Sequence, residues 1–331
     1  MTRTILSLVP ASQVPRITRV VTGIIPLDHL LGGGMPRHRI TTIWGEEGTG
    51  KTTVALHAAA AALRASPDSV AVYVDAESKF NSDWARSIIG EEMMDRLLVV
   101  STAEASVMDE VIRALQEGID DCPVSSVVFD SITSLLPPAA LQAEVGDALI
   151  GAQARAFSQA FPRLARALFQ SSAMAILVAQ SRANIGGYGP STRMAGGFWL
   201  KHYSAAVLSF HTGAQDKDHQ ELKRILVKLE KNQVGGLPEG SSVPLVIRKA
   251  PPYGVDAALA AVLYGVQAGV IGQKGAWFHL DGENLGQGVY NAAAALASNP
   301  DALQRLAERL LGAEYAATIR QHYQEVNNAD N

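Results

Sequence analysis

The sequence predicts an α/β fold with a twisted, mostly parallel central sheet, a short N-terminal strand arm and a small α+β C-terminal domain. Three observations predict it. Short β-branched runs alternate with longer helical runs between residues 39 and 180, the pattern of parallel strands joined by crossover helices. Strands then follow one another without helices from 205 to 248, so the sheet finishes antiparallel. Finally, Pro251-Pro252 punctuates the chain, and a mixture of short helices and one small strand follows it. The expected division is an arm over 1–21, a core over 22–252 and a C-terminal domain over 253–331.

Composition sets bounds. The chain has 331 residues, 47% hydrophobic, enough for a large core plus a smaller one. A formal net charge of -4 is not that of a strongly basic protein, so any nucleic-acid contact must come from local patches. The single cysteine, Cys122, excludes an intramolecular disulfide, and no Cys/His cluster has zinc spacing. No apolar run is long enough to span a bilayer, and the N-terminus lacks a signal-peptide pattern, so the expected location is cytoplasmic, with no membrane partner.

The elements follow in order. Ile5 to Val9 reads as a strand with no nearby partner, suited to docking elsewhere. Residues 27–31 read as a helical turn before the Gly32-Gly33-Gly34 hinge. Arg39 to Trp44 is a β-branched strand, and Thr53 to Leu63 an alanine-rich helix. Between them, Gly45-Glu46-Glu47-Gly48-Thr49-Gly50-Lys51-Thr52 fits G-x-x-x-x-G-K-[ST] without mismatch, in the strand–loop–helix context that a phosphate-binding loop needs. Its glycines let backbone N–H groups curl around phosphate oxygens, and the helix N-terminus favours negative charge. Lys51 suits the β- and γ-phosphates of a nucleoside triphosphate such as ATP, and Thr52 suits Mg2+.

Ser69 to Asp75 is a second strand, leading into Ala76-Glu77 at the crevice edge where ligands bind in such sheets. Glu77 is the candidate base for activating water. Asp83 to Ile89 opens a helix. Leu97 to Ser101 is a third strand, followed by a helix over 104–117. Val124 to Phe129 runs into Asp130, a hydrophobic strand ending in the carboxylate that would hold Mg2+ through water. Residues 137–151 read as a loop. A helix over 152–170 is interrupted by Pro162. Ala173 to Ala179 is a strand ending at Gln180, a candidate sensor of the γ-phosphate. The stretch 181–197 has five glycines, two arginines and no periodicity. Arg182, Arg193 and an apolar Ile185 suit a nucleic-acid backbone with a wedge between bases, and the same pattern equally suits a plain surface loop.

Strands follow at 205–211, 224–230 and 243–248. Beyond the prolines, Asp256 to Ala268 reads as a helix. Ile271 to Leu280 reads as one strand, with Trp277 at the centre of a second core. Val289 to Leu296 is a helix, and Asn299-Pro300 caps another to about Leu311. The tail from Ala313 is a helix that frays by Asn327. From 253 onward eight acidic residues oppose four basic ones, which argues against a strong nonspecific duplex-binding surface.

Together, Thr22-Gly23 with Leu27-Asp28, Gly45 to Thr53, Val74 to Glu77, Phe129 to Ser131, Glu144 to Gly151, Gly196-Gly197, Lys231-Asn232, Gly275 to Trp277 and Gly286 to Gly288 resemble the bacterial RecA-type strand-exchange recombinases. The resemblance runs from about residue 3 to 312. It implies a P-loop NTPase core of the RecA kind. It implies helical filaments on single-stranded DNA, with ATP between neighbouring subunits, homologous pairing with duplex DNA, and DNA-stimulated ATP hydrolysis. By position it places Gly45, Glu46, Glu47, Gly48, Thr49, Gly50, Lys51, Thr52 and Thr53 on the nucleotide. Trp84 and Asn81 fall at the base, and Thr52 and Asp130 at the metal. Glu77 matches the residue that polarises water, and Gln180 the one that couples ATP to DNA. Lys231 matches a cation donated from the next subunit. Ile150, at the tip of a loop over 137–151, and Ile185, in the loop over 181–197, match apolar DNA contacts. Arg155, Ser158, Gly196 and Gly197 match backbone contacts to DNA, and Arg182 and Arg193, read from the pattern of the stretch itself, lie in the same loop.

The departures are a short N-terminal arm, Gln233 where a second lysine usually stands, His202 in place of an aromatic residue, a second loop about one residue shorter with an extra Arg193 near its end, and a much reduced acidic tail. They are those of a divergent member, of the kind a phage or mobile element would encode. Two other classes stay open at this stage. One is an ATP-binding regulatory protein with little hydrolysis, the other a ring-forming motor.

Overall fold

The computed structural model describes Pro10 and residues 17–137, 141, 149–183, 192–215 and 218–329. The expected strand at 5–9, most of the 137–151 loop and Ile185 lie outside the described residues.

A short antiparallel pair, β1 (Arg19–Val20) and β2 (Met35–Pro36), brackets α1 (Ile25–Leu30). The main sheet is built from β3 (Ile40–Gly45), β4 (Val70–Asp75), β5 (Leu97–Ser101), β6 (Val124–Asp130), β7 (Met174–Ala183), β9 (Ala206–Thr212), β10 (Leu222–Asn232), β11 (Ser242–Arg248) and β12 (Gly254–Val255), with β8 (Thr192–Met194) attached to β7. Its order is β12-β11-β10-β9-β3-β7-β6-β4-β5. From β9 to β5 neighbouring strands are parallel, while β10, β11 and β12 add antiparallel. The antiparallel ending expected from strands in succession is present. β12, just past Pro251-Pro252, still pairs with β11.

Strand alternation divides the core between the two faces of this sheet. On β7, Met174, Ile176 and Val178 join the layer under α2 (Lys51–Ala65) and α3 (Ser82–Ile89). Ala175, Leu177 and Ala179 face the layer under α4 (Val107–Glu117) and α5 (Leu149–Gln170). Both faces are covered, which is why these strands read as continuous apolar runs.

Helix α5 runs unbroken through Pro162, contrary to the expected interruption. Proline removes one N–H and crowds the preceding turn, at about 3 kcal/mol. Phe157, Phe161, Leu164 and Leu168 are all buried on one face spanning the proline, and their burial outweighs that cost.

The 181–197 stretch is more ordered than its composition suggests. β7 continues past Gln180 to Ala183 and pairs antiparallel with β8, and α6 (Gly197–Tyr203) follows. Within the described residues the stretch is therefore the stem of a hairpin leading into a helix.

In the C-terminal part, α7 (Ala257–Gln267), β13 (Ile271–Lys274), β14 (Trp277–Leu280), β15 (Glu283–Gln287), α8 (Val289–Ala297), α9 (Pro300–Leu311) and α10 (Ala313–Ala329) share a third core. The expected single strand over 271–280 is a hairpin turning at Gly275-Ala276. Trp277 is not its core: it is 45% exposed, while Phe278 and Leu280 are buried. Alternation along β14 sends 278 and 280 to the helices, with Leu285, Leu296 and Leu303, and 277 outward. Asn299 caps α9 as expected, its side chain accepting the N–H of Ala302, with Pro300 at the first turn. Helix α10 continues to Ala329 rather than ending by 327. The third core also takes in Ile25 of α1 and Val246 of β11, so the C-terminal elements are seated on the main sheet.

Candidate functional site

Parallel register brings the candidate residues together. Gly45 stands opposite Gln180, Asp75 opposite Asp130, and Asp130 opposite Val178. The carboxyl ends of β3, β4 and β6 therefore share one level with Gln180, the position at which open α/β sheets bind ligands. A cleft of about 500 Å³ opens there, lined by the glycine loop, Glu77, Trp84, Asp130 and Gln180.

Gly45, Gly48 and Gly50 have φ of 154°, 69° and 79°, values that favour glycine, and the loop delivers the chain into α2 with Gly50 as its N-cap. A Cβ at Gly45 would lie 2.4 Å from the carbonyl oxygen of Phe210. Thr49 Oγ1 donates to the Glu46 carbonyl at 2.8 Å and closes the turn. Lys51 Nζ folds back onto the carbonyls of Gly45 (3.0 Å) and Glu46 (2.6 Å). Burial lowers the Lys51 pKa, opposed by the charges of Asp130, Glu77 and Glu47. Glu46, Glu47 and Gly48 are exposed.

Thr52 Oγ1 donates to Asp130 Oδ2 at 2.5 Å. Burial raises the Asp130 pKa, and the hydroxyls of Thr52 and Tyr73 oppose that rise. Tyr73 donates to the same oxygen at 2.7 Å. Burial raises the pKa of the Tyr73 phenol, and the Asp130 charge raises it further.

Glu77 is held from several sides. Its Oε1 accepts Gln180 Nε2 at 2.6 Å, Ser131 Oγ at 2.7 Å and Ser134 Oγ at 3.1 Å, and its Oε2 accepts Lys79 Nζ at 2.9 Å. Partial burial works against its charge, but the bonds from Lys79, Ser131 and Gln180, with the Lys79 charge, outweigh it and hold the carboxyl down at about 2. Gln180 also reaches the other way: its backbone carbonyl accepts the N–H of Ala195 at 2.9 Å, at the foot of the β7–β8 hairpin. Asp75 is buried and structural, its carboxylate accepting the N–H groups of Lys79 and Phe80.

At the far end of the cleft Trp84 packs edge-on to Tyr253, ring centroids 6.5 Å apart. Asn81 lines the cleft, but its Oδ1 is already used as the cap of α3, accepting the Trp84 N–H at 2.9 Å. Only the remainder of its side chain is free for a base.

The residues fit a magnesium nucleotide. The loop amides, the Lys51 ammonium and the Thr52–Asp130 pair are the donor set that phosphates and a hard cation need. Thr53, predicted at the nucleotide, is fully buried on α2 and does not line the cleft. Among the described residues no group of three or more His, Cys, Asp or Glu could hold a metal ion.

The candidate DNA residues within the described part lie on the β7–β8 pair, on α5 and at the start of α6. Arg182 and Arg193 are exposed and directly opposite each other across the β7–β8 pair. Like charges facing across strands are destabilising unless an anion lies between them. Arg155 is exposed on α5, and Ser158 donates to the Arg155 carbonyl at 2.7 Å. Ile150 falls in the first turn of α5, and Gly196 and Gly197 at the start of α6. Gln153 Nε2 donates to the carbonyls of Thr133 and Leu135, tying α5 to the segment after Asp130.

Lys231 is not in the cleft with Lys51. Its Nζ donates to the carbonyls of Lys201 (2.8 Å) and His202 (3.1 Å) at the C-terminal end of α6. It lines a second, more open hollow of about 890 Å³ with Trp44, Arg193, Phe198 and His202. The His202 ring stacks on Phe198, centroids 5.5 Å apart at 16°, so a flat ring persists at that position.

Comparison with known proteins identifies the family. The RecA N-terminal domain model matches residues 2–244, and the RecA C-terminal domain model matches 262–313. The chain belongs to the RecA family. It is 36% identical over 302 residues to Protein RecA of Chlorobaculum parvum, covering 86% of this chain and 80% of that one. Protein RecA of Mycolicibacterium gilvum is 36% identical over 291 residues, with 87% and 80% covered. That of Chlorobium chlorochromatii is 34% identical over 307, with 92% and 84% covered. RecA family membership supports an ATP-dependent DNA-recombination function in general terms, with nucleotide binding, DNA binding and self-association.

Sequence reasoning missed Tyr73, Lys79, Ser131, Ser134 and Lys223. Lys223 Nζ donates to the Gly48 carbonyl at 2.8 Å from β10. Tyr73 carried a signal, since period-two alternation puts it on the face of Asp75. Lys79 and the serines lie within four residues of Glu77 or Asp130. Nothing local to Lys223 points to the loop. Among the described residues no helix is long and apolar enough to cross a membrane.

Proposed function

We propose that this protein is a cytoplasmic, filament-forming recombinase that binds single-stranded DNA with ATP, pairs it with homologous duplex and hydrolyses ATP when DNA is bound. One observation carries the reading: Gln180 hydrogen-bonds Glu77 with its side chain and anchors Ala195 of the hairpin with its backbone. A single residue thus joins the hydrolytic carboxylate to the arginine-bearing stem. In this reading residues 1–21 are the polymer arm, the ATPase core ends close to Pro252, and the remainder is the domain that captures duplex.

Bound ATP supplies the γ-phosphoryl group, and Mg2+ neutralises charge on its oxygens. The glycine loop and Lys51 bind and orient phosphates, and Thr52 with Asp130 holds the ion. Lys231 is donated to the neighbouring subunit's site, which suits its place outside its own cleft. With Gln233 beside it, one cation completes the joint site where two usually do, which weakens charge stabilisation there. Glu77, held down at about 2, is a weak proton acceptor. Its role is to orient and polarise water, more so once Gln180 or Lys79 turns away. Arg182, Arg193, Arg155, Ser158, Gly196 and Gly197 contact the DNA backbone, with Ile150 and Ile185 spacing the bases.

The restrained Glu77 also favours a second reading, an ATP-binding regulator with little hydrolysis. ATPase assays with and without single-stranded DNA separate the two. DNA should raise turnover, Glu77→Gln should lower it while nucleotide still binds, and Gln180→Ala should remove the response to DNA. Turnover indifferent to DNA would favour the regulator.

A further inference from the structure

The carboxylate of Asp130 is held by two hydroxyls, and only one belongs to the phosphate loop. Thr52 Oγ1 and Tyr73 Oη both donate to Oδ2, at 2.5 Å and 2.7 Å. Tyr73 is 2% exposed on β4, between β6 and the edge strand β5, and its ring packs on Phe80 with centroids 5.2 Å apart. It lines the same cleft as Asp130 and the glycine loop. A phenylalanine would fill the same volume and make the same ring contact. What the tyrosine adds is one buried hydroxyl, and that hydroxyl is spent on the metal carboxylate.

We propose that Tyr73 is a positioning residue of the metal–nucleotide site: its hydroxyl fixes the Asp130 carboxylate in the orientation that receives a divalent ion beside Thr52. This rests on reading the cleft as a magnesium-nucleotide site. A carboxylate anchored through one oxygen by a rigid ring cannot swing away from the ion, and partners of this second layer typically change metal affinity by 10- to 100-fold.

The test is Tyr73→Phe in the full chain. Mn2+ binding is followed by electron paramagnetic resonance in the presence of ADP. Affinity for a fluorescent ADP is measured in excess chelator. The expected result is Mn2+ affinity weakened about 10-fold, with metal-free nucleotide affinity unchanged, and Asp130→Asn weaker still. Unchanged Mn2+ affinity in the variant would show that the hydroxyl only satisfies itself, and the proposal falls. Equal loss of both affinities would mark a general disturbance and also overturns it. If the unsubstituted protein binds ADP but no Mn2+ with it, the metal-site reading and the proposal fall together. If it binds no ADP in chelator and Lys51→Ala changes nothing in Mn2+ binding, the nucleotide reading itself has failed.

Discussion

Asp28 offers the sharpest test of how the N-terminal helix and the C-terminal helix are joined. It is 0% exposed, and its carboxylate accepts the Thr22 N–H, the Thr22 hydroxyl at 2.7 Å and the Tyr315 hydroxyl at 2.9 Å. Those bonds favour the charged form. Burial opposes them and prevails, raising the pKa from 3.8 to about 7. Between those values the folded protein holds a proton that the unfolded chain has released, so stability falls as pH rises from about 4 to about 7 and levels off above. Each pH unit in that window is worth about 1.4 kcal/mol, so from pH 5 to pH 7 the loss is on the order of 2–3 kcal/mol. Asp28→Asn keeps an acceptor and removes the titration. Urea unfolding of both proteins at several pH values from 5 to 8 isolates the term, because every other group is common to both. The variant should gain on the parent by about 2–3 kcal/mol between pH 5 and 7 and no further above 7.5. Parallel curves would show that Asp28 is charged throughout, and that its hydrogen bonds, rather than burial, decide its state.

Three further outcomes follow from the geometry. Replacing both Arg182 and Arg193 by serine should weaken single-stranded DNA binding and flatten its log–log salt dependence by about 1–2; an unchanged slope would remove the hairpin stem from the DNA path. Gly45→Ala places a Cβ 2.4 Å from the Phe210 carbonyl at a φ of 154°, and should cost more than about 3 kcal/mol in urea unfolding. Trp277→Ser should change stability by less than about 0.5 kcal/mol, whereas Leu296→Ala should cost about 2–5 kcal/mol; the reverse order would put the tryptophan back in the core.

Much of the candidate site was legible because its residues sit at strand ends. A run such as Val124 to Asp130 announces both a buried strand and the carboxylate at its tip, and β6 occupies that very span. Parallel pairing then brings four such tips to one level without further instruction. What could not be read depends on packing between distant segments. Pro162 is a helix breaker by local propensity, and only the buried face of α5 overrides it. Trp277 is the largest side chain in its segment, and only the register of β14 decides that its neighbours go inward. The 181–197 stretch carries glycines and no hydrophobic alternation. Its stem is set by pairing of Ser181 with Met194 and Ala183 with Thr192, and composition is silent about such pairing.

In the proposed function, β7 is the element through which DNA and nucleotide would act on one another. β7 runs without a break from the buried sheet, past Gln180 in the cleft, to Ala183 in the stem. A shift of the Gln180 side chain away from Glu77 leaves the strand in place but changes what Glu77 can do. The stem, in turn, carries Arg182 and Arg193 face to face, an arrangement that opposes its own pairing until a phosphate lies between them. In that reading both ligands act on the same strand. A coupling of this kind is reciprocal, so whatever factor ATP contributes to DNA affinity must return as a factor in nucleotide affinity when DNA is bound. Measuring both factors on one preparation would decide whether β7 carries the coupling: Gln180→Ala should abolish both together. Loss of one with retention of the other would place the coupling elsewhere.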